Sequence, residues 1–274
     1  MGKTKKRITR ALIYLVLIAA AFVSIFPCYW MFISAFNSTE EIVAGRLLPS
    51  THLMENLRNL FETYKIKEGL WNSLKISVSI VVSSLLVSSL AAYGFEKFRT
   101  KISERFYVIF LLGMMVPFTA LIVPLYKMMA TIGLSNTALA VILPAVGSIF
   151  LLFFFRQSFK SIPDEILESA RIDGAGELRI FFQIVFPSMR ATYAAAAIYA
   201  FMTSWNNYMW PMIALNSPSK QTIILMVSKI VTSGYYPDYG VQMVGLVIAT
   251  LPIAVIFLIL QRSFVDGLTG SVKG

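Results

Sequence analysis

Residues 161–187 read SIPDEILESARIDGAGELRIFFQIVFP, an interval with seven charged residues between two apolar runs. Ser161 followed by Asp164 matches the S-x-x-[DE] start of a capped helix, with Pro163 in the first turn, where a missing N–H costs little. Ile166, Leu167 and Ala170 fall on one face, while Asp164, Glu168 and Arg171 place polar groups elsewhere. Gly174 stands where a helix end favours φ > 0. The spacing predicts a short amphipathic helix, a glycine corner and a second apolar segment ending at Pro187. Such a piece gains nothing inside a bilayer, so it is expected to dock on something in water.

Around it, hydrophobic residues make up 57% of the 274 positions and charged residues 14%. A soluble domain of this length carries about 25% charge, so a polytopic membrane protein is the class that fits. The net charge of +10 does not point to nucleic acid, because Lys and Arg lie between apolar runs rather than along one stripe. Cys28 and His52 are the single residues of their types, which excludes a disulfide framework and leaves no metal-ligand cluster or His catalysis.

The order of runs gives an all-α integral membrane protein with six transmembrane helices. Residues 1–10 form a basic leader and 11–36 the first span. Ala19-Ala20-Ala21 resembles a signal cleavage site, but the apolar run continues far past the 7–15 residues of a signal h-region. Residues 37–70 form an outer loop with a short surface helix through Leu53, Leu57, Leu60 and Phe61. Residues 71–261 form the main transmembrane domain. Its spans cover about 71–95, 106–130, 137–155, 188–215 and 239–260, with loop 161–187 between the fourth and fifth. Residues 262–274 are a polar tail. Sixteen of the 24 Lys and Arg fall in the leader, the 96–105 turn, the 156–190 region and the tail, which puts both termini and loop 161–187 in the cytoplasm.

No P-loop pattern occurs, so the chain cannot hold ATP through one of its own. Gly174-Ala175-Gly176 is no dinucleotide fingerprint, since Arg179 occupies the place of the third glycine. No acidic or basic residue falls deep in an expected span, which argues against a proton-driven carrier and for a cargo without strong charge. Trp205, Asn206, Asn207 and Tyr208 are the candidate pathway residues: amides bond hydroxyls, and flat rings cover the C–H faces of a sugar. An aromatic belt at the membrane surface competes as the reading of the tryptophans.

Glu168-Ser169-Ala170, then Gly174, Ile184 and Phe186-Pro187 resemble the EAA loop (EAA-x3-G-x9-I-x-LP) of ATP-binding-cassette (ABC) importer permeases, with Ser169 and Phe186 departing from the pattern. The extended IPDEILESARIDGAG and the ending GLTGSVKG resemble the carbohydrate-uptake branch, in particular the smaller permease subunit of maltose-type importers. The resemblance implies a type I importer fold in a bacterial or archaeal cytoplasmic membrane, moving a neutral sugar or oligosaccharide by alternating access. It implies as partners a second permease chain in a heterodimer, two ABC ATPase subunits and an extracytoplasmic solute-binding protein. ATP and Mg would be bound by the ATPases and no cofactor by this chain, which is no enzyme itself. Pro163, Glu168, Ser169, Ala170, Arg171, Asp173, Gly174, Ile184 and Pro187 would form the coupling helix and its exit, with Glu168 in a charged contact or paired to Arg171. Gly267, Thr269, Gly270 and Lys273 of the tail would touch the ATPase pair. Peptide or amino-acid cargo is the alternative within that family, and a stand-alone secondary carrier the alternative outside it.

Overall fold

The computed structural model describes residues 2–232 and 237–269, and among these no strand occurs. The helices in order are α1 (Gly2–Ser34), α2 (Thr39–Val43), α3 (Leu53–Thr63), α4 (Ile66–Lys97), α5 (Lys101–Gly113), α6 (Phe118–Thr131), α7 (Ala138–Val146), α8 (Ile149–Phe159), α9 (Asp164–Ile172), α10 (Glu177–Ile180), α11 (Phe186–Ser188), α12 (Arg190–Trp205), α13 (Met209–Ala214), α14 (Ile223–Thr232) and α15 (Tyr239–Thr269). They divide into two compact units, residues 1–66 with 226–251, and 67–225 with 252–274.

In the first unit, α1 continues the basic leader without a break, and its apolar stretch 11–29 is exposed at every position. Ser38 opens α2 with a capping box: its Oγ accepts the Glu41 N–H while the Glu41 carboxylate accepts the Ser38 N–H. The surface helix expected in the outer loop is α3; it buries Leu60 completely and leaves Phe61 exposed. Asn56 of α3 is buried, and its Nδ2 donates to the carbonyls of Ala35 and Asn37, each at 3.0 Å. Gly240 opens α15 directly against that amide; a Cβ there would lie 2.6 Å from both Asn56 Nδ2 and Oδ1.

Gly240→Ala should therefore push Asn56 off two carbonyls buried with it, a cost of about 2 kcal/mol. The expected result is a lower melting temperature for the detergent-solubilised protein. Gly94→Ala, where a Cβ meets nothing within 4 Å, should leave it level or raise it.

Two apolar clusters organise the second unit. One gathers Ala92 and Tyr93 of α4, Leu151, Phe155 and Phe159 of α8, Leu167 of α9, Ile180 and Phe181, and Tyr193 and Ala196 of α12. The other gathers Ile76 and Ile80 of α4, Met129, Ala140, Val141, Trp210 and Ala214. Small serines let neighbours approach α4: Ser73, Ser77, Ser84, Ser88 and Ser89 are all buried.

Two of the expected spans are interrupted helices. Among the described residues, four stretches are by length and composition apolar enough to cross a membrane unaided, or five if α5 and α6, bent by 104°, form one crossing. The third span thus breaks at 114–117, where Pro117 caps α6 and cannot continue α5. The fifth breaks between α12 and α13, because Pro211 has no N–H to return to the Asn207 carbonyl. Helix α15 runs nine residues past the expected end of the sixth span, into the polar tail.

Candidate functional site

The loop singled out in the sequence forms a helix with defined ends. Helix α9 begins at Asp164 with Pro163 as its cap, two residues later than the Ser161 pattern predicts; Ser161 Oγ instead donates to the Ser158 carbonyl at 2.8 Å. Asp164 and Glu165 in the first turn and Arg171 in the last agree with the helix dipole. The C-terminus is a Schellman closure: Asp173 is the cap, Gly174 N–H donates to Arg171 O and Ala175 N–H to Ala170 O, both at 3.0 Å. Gly174 has φ +80°, as its position in the sequence predicts.

Leu167 is the anchor, 1% exposed within the cluster of α4, α8 and α12. Ala170 and Ile184 pack partly buried against the same cluster, so the small residue at 170 serves this chain's own core. Ile166 does not share that face; it is half exposed, and Ile172 is 86% exposed. With Leu178, they present apolar surface that no described residue covers. Glu168, Ser169 and Asp173 are exposed beside them.

Two clamps fix this loop to the end of α4, and neither was foreseen from sequence. At the entrance, Lys97 Nζ donates to the Ile162 carbonyl at 2.9 Å and to Asp164 Oδ1 at 2.7 Å. At the exit, Glu177 accepts three donors: Tyr93 O–H at 2.8 Å, Arg171 Nε at 2.6 Å and Arg171 Nη2 at 3.3 Å. Arg171 therefore pairs with Glu177 rather than Glu168. After α10, residues Phe181–Val185 form a π-turn that leads into α11, with Pro187 inside it.

The Lys97 hydrogen bond holds the Asp164 carboxyl below its usual pKa, and the Arg171 hydrogen bond does the same for Glu177. Depressed carboxylates lend stability that is complete above their unfolded pKa values and is lost as pH falls through the folded ones. Proteolytic cleavage of the loop should thus stay constant from about pH 8 to pH 5 and rise only below about pH 4. Limited proteolysis across that range checks it.

Beneath the loop is a buried ionic cluster. Arg156 of α8 is 4% exposed and Glu96 of α4 is 7% exposed, although both belong to stretches expected to be loops. Arg156 Nε donates to Glu96 Oε2 at 3.2 Å, its Nη2 pairs with Glu104 of α5, and its guanidinium lies 3.9 Å from the centre of the Tyr107 ring. Arg99 makes a second pair with Glu96.

The candidate pathway residues separate. Trp205 is 2% exposed and stacked on Phe201 at 5.3 Å, and Trp210 is equally buried with its Nε1 donating to Ala140 O at 3.0 Å. Both are core residues, which excludes the belt and also keeps Trp205 away from a cargo. Asn206 caps the end of α12, and Tyr208 is exposed. Asn207 accepts the Trp210 N–H at 3.3 Å and lines a cleft of about 230 Å³. Of the tail residues, Gly267 and Thr269 fall within α15, whereas Gly270 and Lys273 lie outside the described residues.

The profile of a family described as binding-protein-dependent transport system inner membrane component matches residues 84–270. The lactose transport system permease protein LacG of Rhizobium radiobacter is 46% identical over 273 residues, covering 100% of both chains. The arabinooligosaccharides transport system permease protein AraQ of Halalkalibacterium halodurans is 36% identical over 93% of each. In fold, a chain from the crystal structure of a bacterial ABC transporter that imports the acidic polysaccharide alginate superposes with a TM-score of 0.85 at 21% identity. That match covers 96% of this chain and 99% of the other.

Proposed function

The chain belongs to the family of binding-protein-dependent transport system inner membrane components, and on that premise we propose that it moves a neutral sugar or oligosaccharide into the cytoplasm. It is a multi-pass membrane permease of an ABC importer and not an enzyme. A solute-binding protein delivers the cargo outside, a second permease chain forms the other half of the path, and two ATPase subunits bind ATP and Mg.

The observation that carries the reading is loop 161–187. It is clamped to α4 at both ends, anchored by Leu167, and offers Ile166, Ile172 and Leu178 outward. A rigid helix with bare apolar side chains fits a cleft on a water-soluble partner and transmits that partner's motion to α4 and α12. Glu168, Ser169 and Asp173 would make the polar contacts at its rim. The Lys and Arg bias supports a cytoplasmic side for this loop and both termini. The names of LacG and AraQ support a saccharide as cargo.

The test is reconstitution of this chain with its partner permease, two ATPases and binding protein in vesicles, with lactose as probe. Uptake is expected to require ATP inside, where the ATPases face, and the binding protein outside. Uptake by this chain alone, driven by an ion gradient, would establish a secondary carrier instead.

A further inference from the structure

We propose that this chain itself contacts the cargo, through a mid-membrane cleft that takes one neutral sugar ring; the inference rests on the saccharide reading above. The cleft of about 230 Å³ opens where the two apolar clusters of the second unit part: Ile80 belongs to one, Leu151 and Ala200 to the other. At about 30 Å³ per water it holds roughly eight waters, the bulk of a monosaccharide ring.

Its depth is fixed by chain length. Ser148, at the break between α7 and α8, lies ten residues from Ala138 and eleven from Phe159, or about 15 Å from either end of that crossing. Half a hydrocarbon core is also about 15 Å. An interrupted helix at that depth is tolerated where it is buried or lines an aqueous cavity. Six hydrogen-bonding side chains converge there: Ser84, Ser148, Tyr199, Thr203, Ser204 and Asn207. Among the described residues, no Lys, Arg, Asp or Glu lines the cleft.

The bonds already made define what these groups still offer. Ser84, Thr203 and Ser204 spend their hydroxyl protons on Val81 O, Tyr199 O and Ser77 Oγ, which leaves oxygen lone pairs as acceptors. Ser148 Oγ accepts the Leu151 N–H and keeps its own proton to give. Asn207 Oδ1 is taken by Trp210 N–H, and its Nδ2 protons remain as donors. Sugar hydroxyls donate and accept at once, so an uncharged set of mixed donors and acceptors suits them and strands an anion. Tyr199, 38% exposed, packs against Phe150 with ring centres 4.2 Å apart and planes inclined by 34°, and its ring offers an apolar face for C–H groups. Its exposure leaves one side of the cleft open beyond this chain, so the ring would be shared with the second permease.

The experiment compares the reconstituted wild-type complex with Thr203→Val, Thr203→Ser, Tyr199→Phe and Ala145→Leu, at saturating loaded binding protein. Lactose, and lactobionate as its carboxylate analogue, are the probes; the readouts are sugar delivered per ATP hydrolysed and stimulated ATPase rate. Thr203→Val and Tyr199→Phe each delete one hydroxyl and should lower lactose per ATP about 3- to 10-fold, with the ATPase rate unchanged. Thr203→Ser should stay near wild type, and Ala145→Leu, which fills the cleft, should lower delivery further. Wild-type delivery ratios in Thr203→Val and Tyr199→Phe together, or equal transport of lactobionate and lactose, would overturn the inference. A wild-type complex that moves no saccharide overturns the reading beneath it as well.

Discussion

Arg156→Met is expected to lower the melting temperature of the detergent-solubilised protein sharply, through the loss of about 3 kcal/mol. Arg156 and Glu96 are both buried, and removing one partner leaves a charge without its counterion, which typically costs about 3–5 kcal/mol. Arg99 still reaches Glu96 from a half-exposed position, which moderates the loss. Tyr107 also loses the guanidinium on its ring. The double variant Arg156→Met/Glu96→Gln removes the stranded charge and should regain about half of the loss. Thermal melting of wild type, both single variants and the double variant decides the matter. Equal stability of Arg156→Met and wild type would show that the cluster carries no net energy.

Gly174→Asp is expected to lower ATP-driven uptake by at least about tenfold while the chain still folds. The backbone at this corner has φ +80°, and a Cβ would meet nothing within 4 Å, so the folding cost is conformational, about 1 kcal/mol. The functional cost comes from a carboxylate placed past the negative end of α9, beside Asp173 and next to the apolar surface that we propose meets the ATPase. Gly174→Asn separates the two effects, because asparagine tolerates this backbone region and brings no charge. Transporters carrying Gly174→Asn should keep most of their uptake, and their ATPase stimulation should track it. Equal loss in both variants would assign the effect to the backbone; normal uptake in both would remove the loop from coupling.

The loop was legible because its signals are local. A proline before acidic residues, one buried leucine at helical spacing and a glycine at the exit specify a helix and its stop within a short run of chain. The clamps were not, because Tyr93 meets Glu177 across 84 positions and Lys97 meets Asp164 across 67. Nothing in the composition near Glu177 distinguishes it from any acidic residue at a helix start. Arg156 and Glu96 look like loop charges in a one-dimensional reading, since each sits at the end of an apolar run; only their mutual pairing makes burial possible. The tryptophans misled in the opposite direction. At the end of a span they suggest the membrane surface, whereas the break at Asn206–Tyr208 turns both into the packed interior. Prolines do not mark the breaks by themselves: Pro27 and Pro252 lie inside continuous helices, because a bilayer protein can re-satisfy a freed carbonyl in several ways.

Helix α1 has a consequence for how this protein behaves outside a membrane. Its apolar stretch 11–29 is exposed at every position, and the bilayer is the solvent that covers it. Once the chain is extracted, amphiphile has to take over that task along the whole rod. Dilution below the critical micelle concentration should therefore precipitate the protein before its folded core is disturbed.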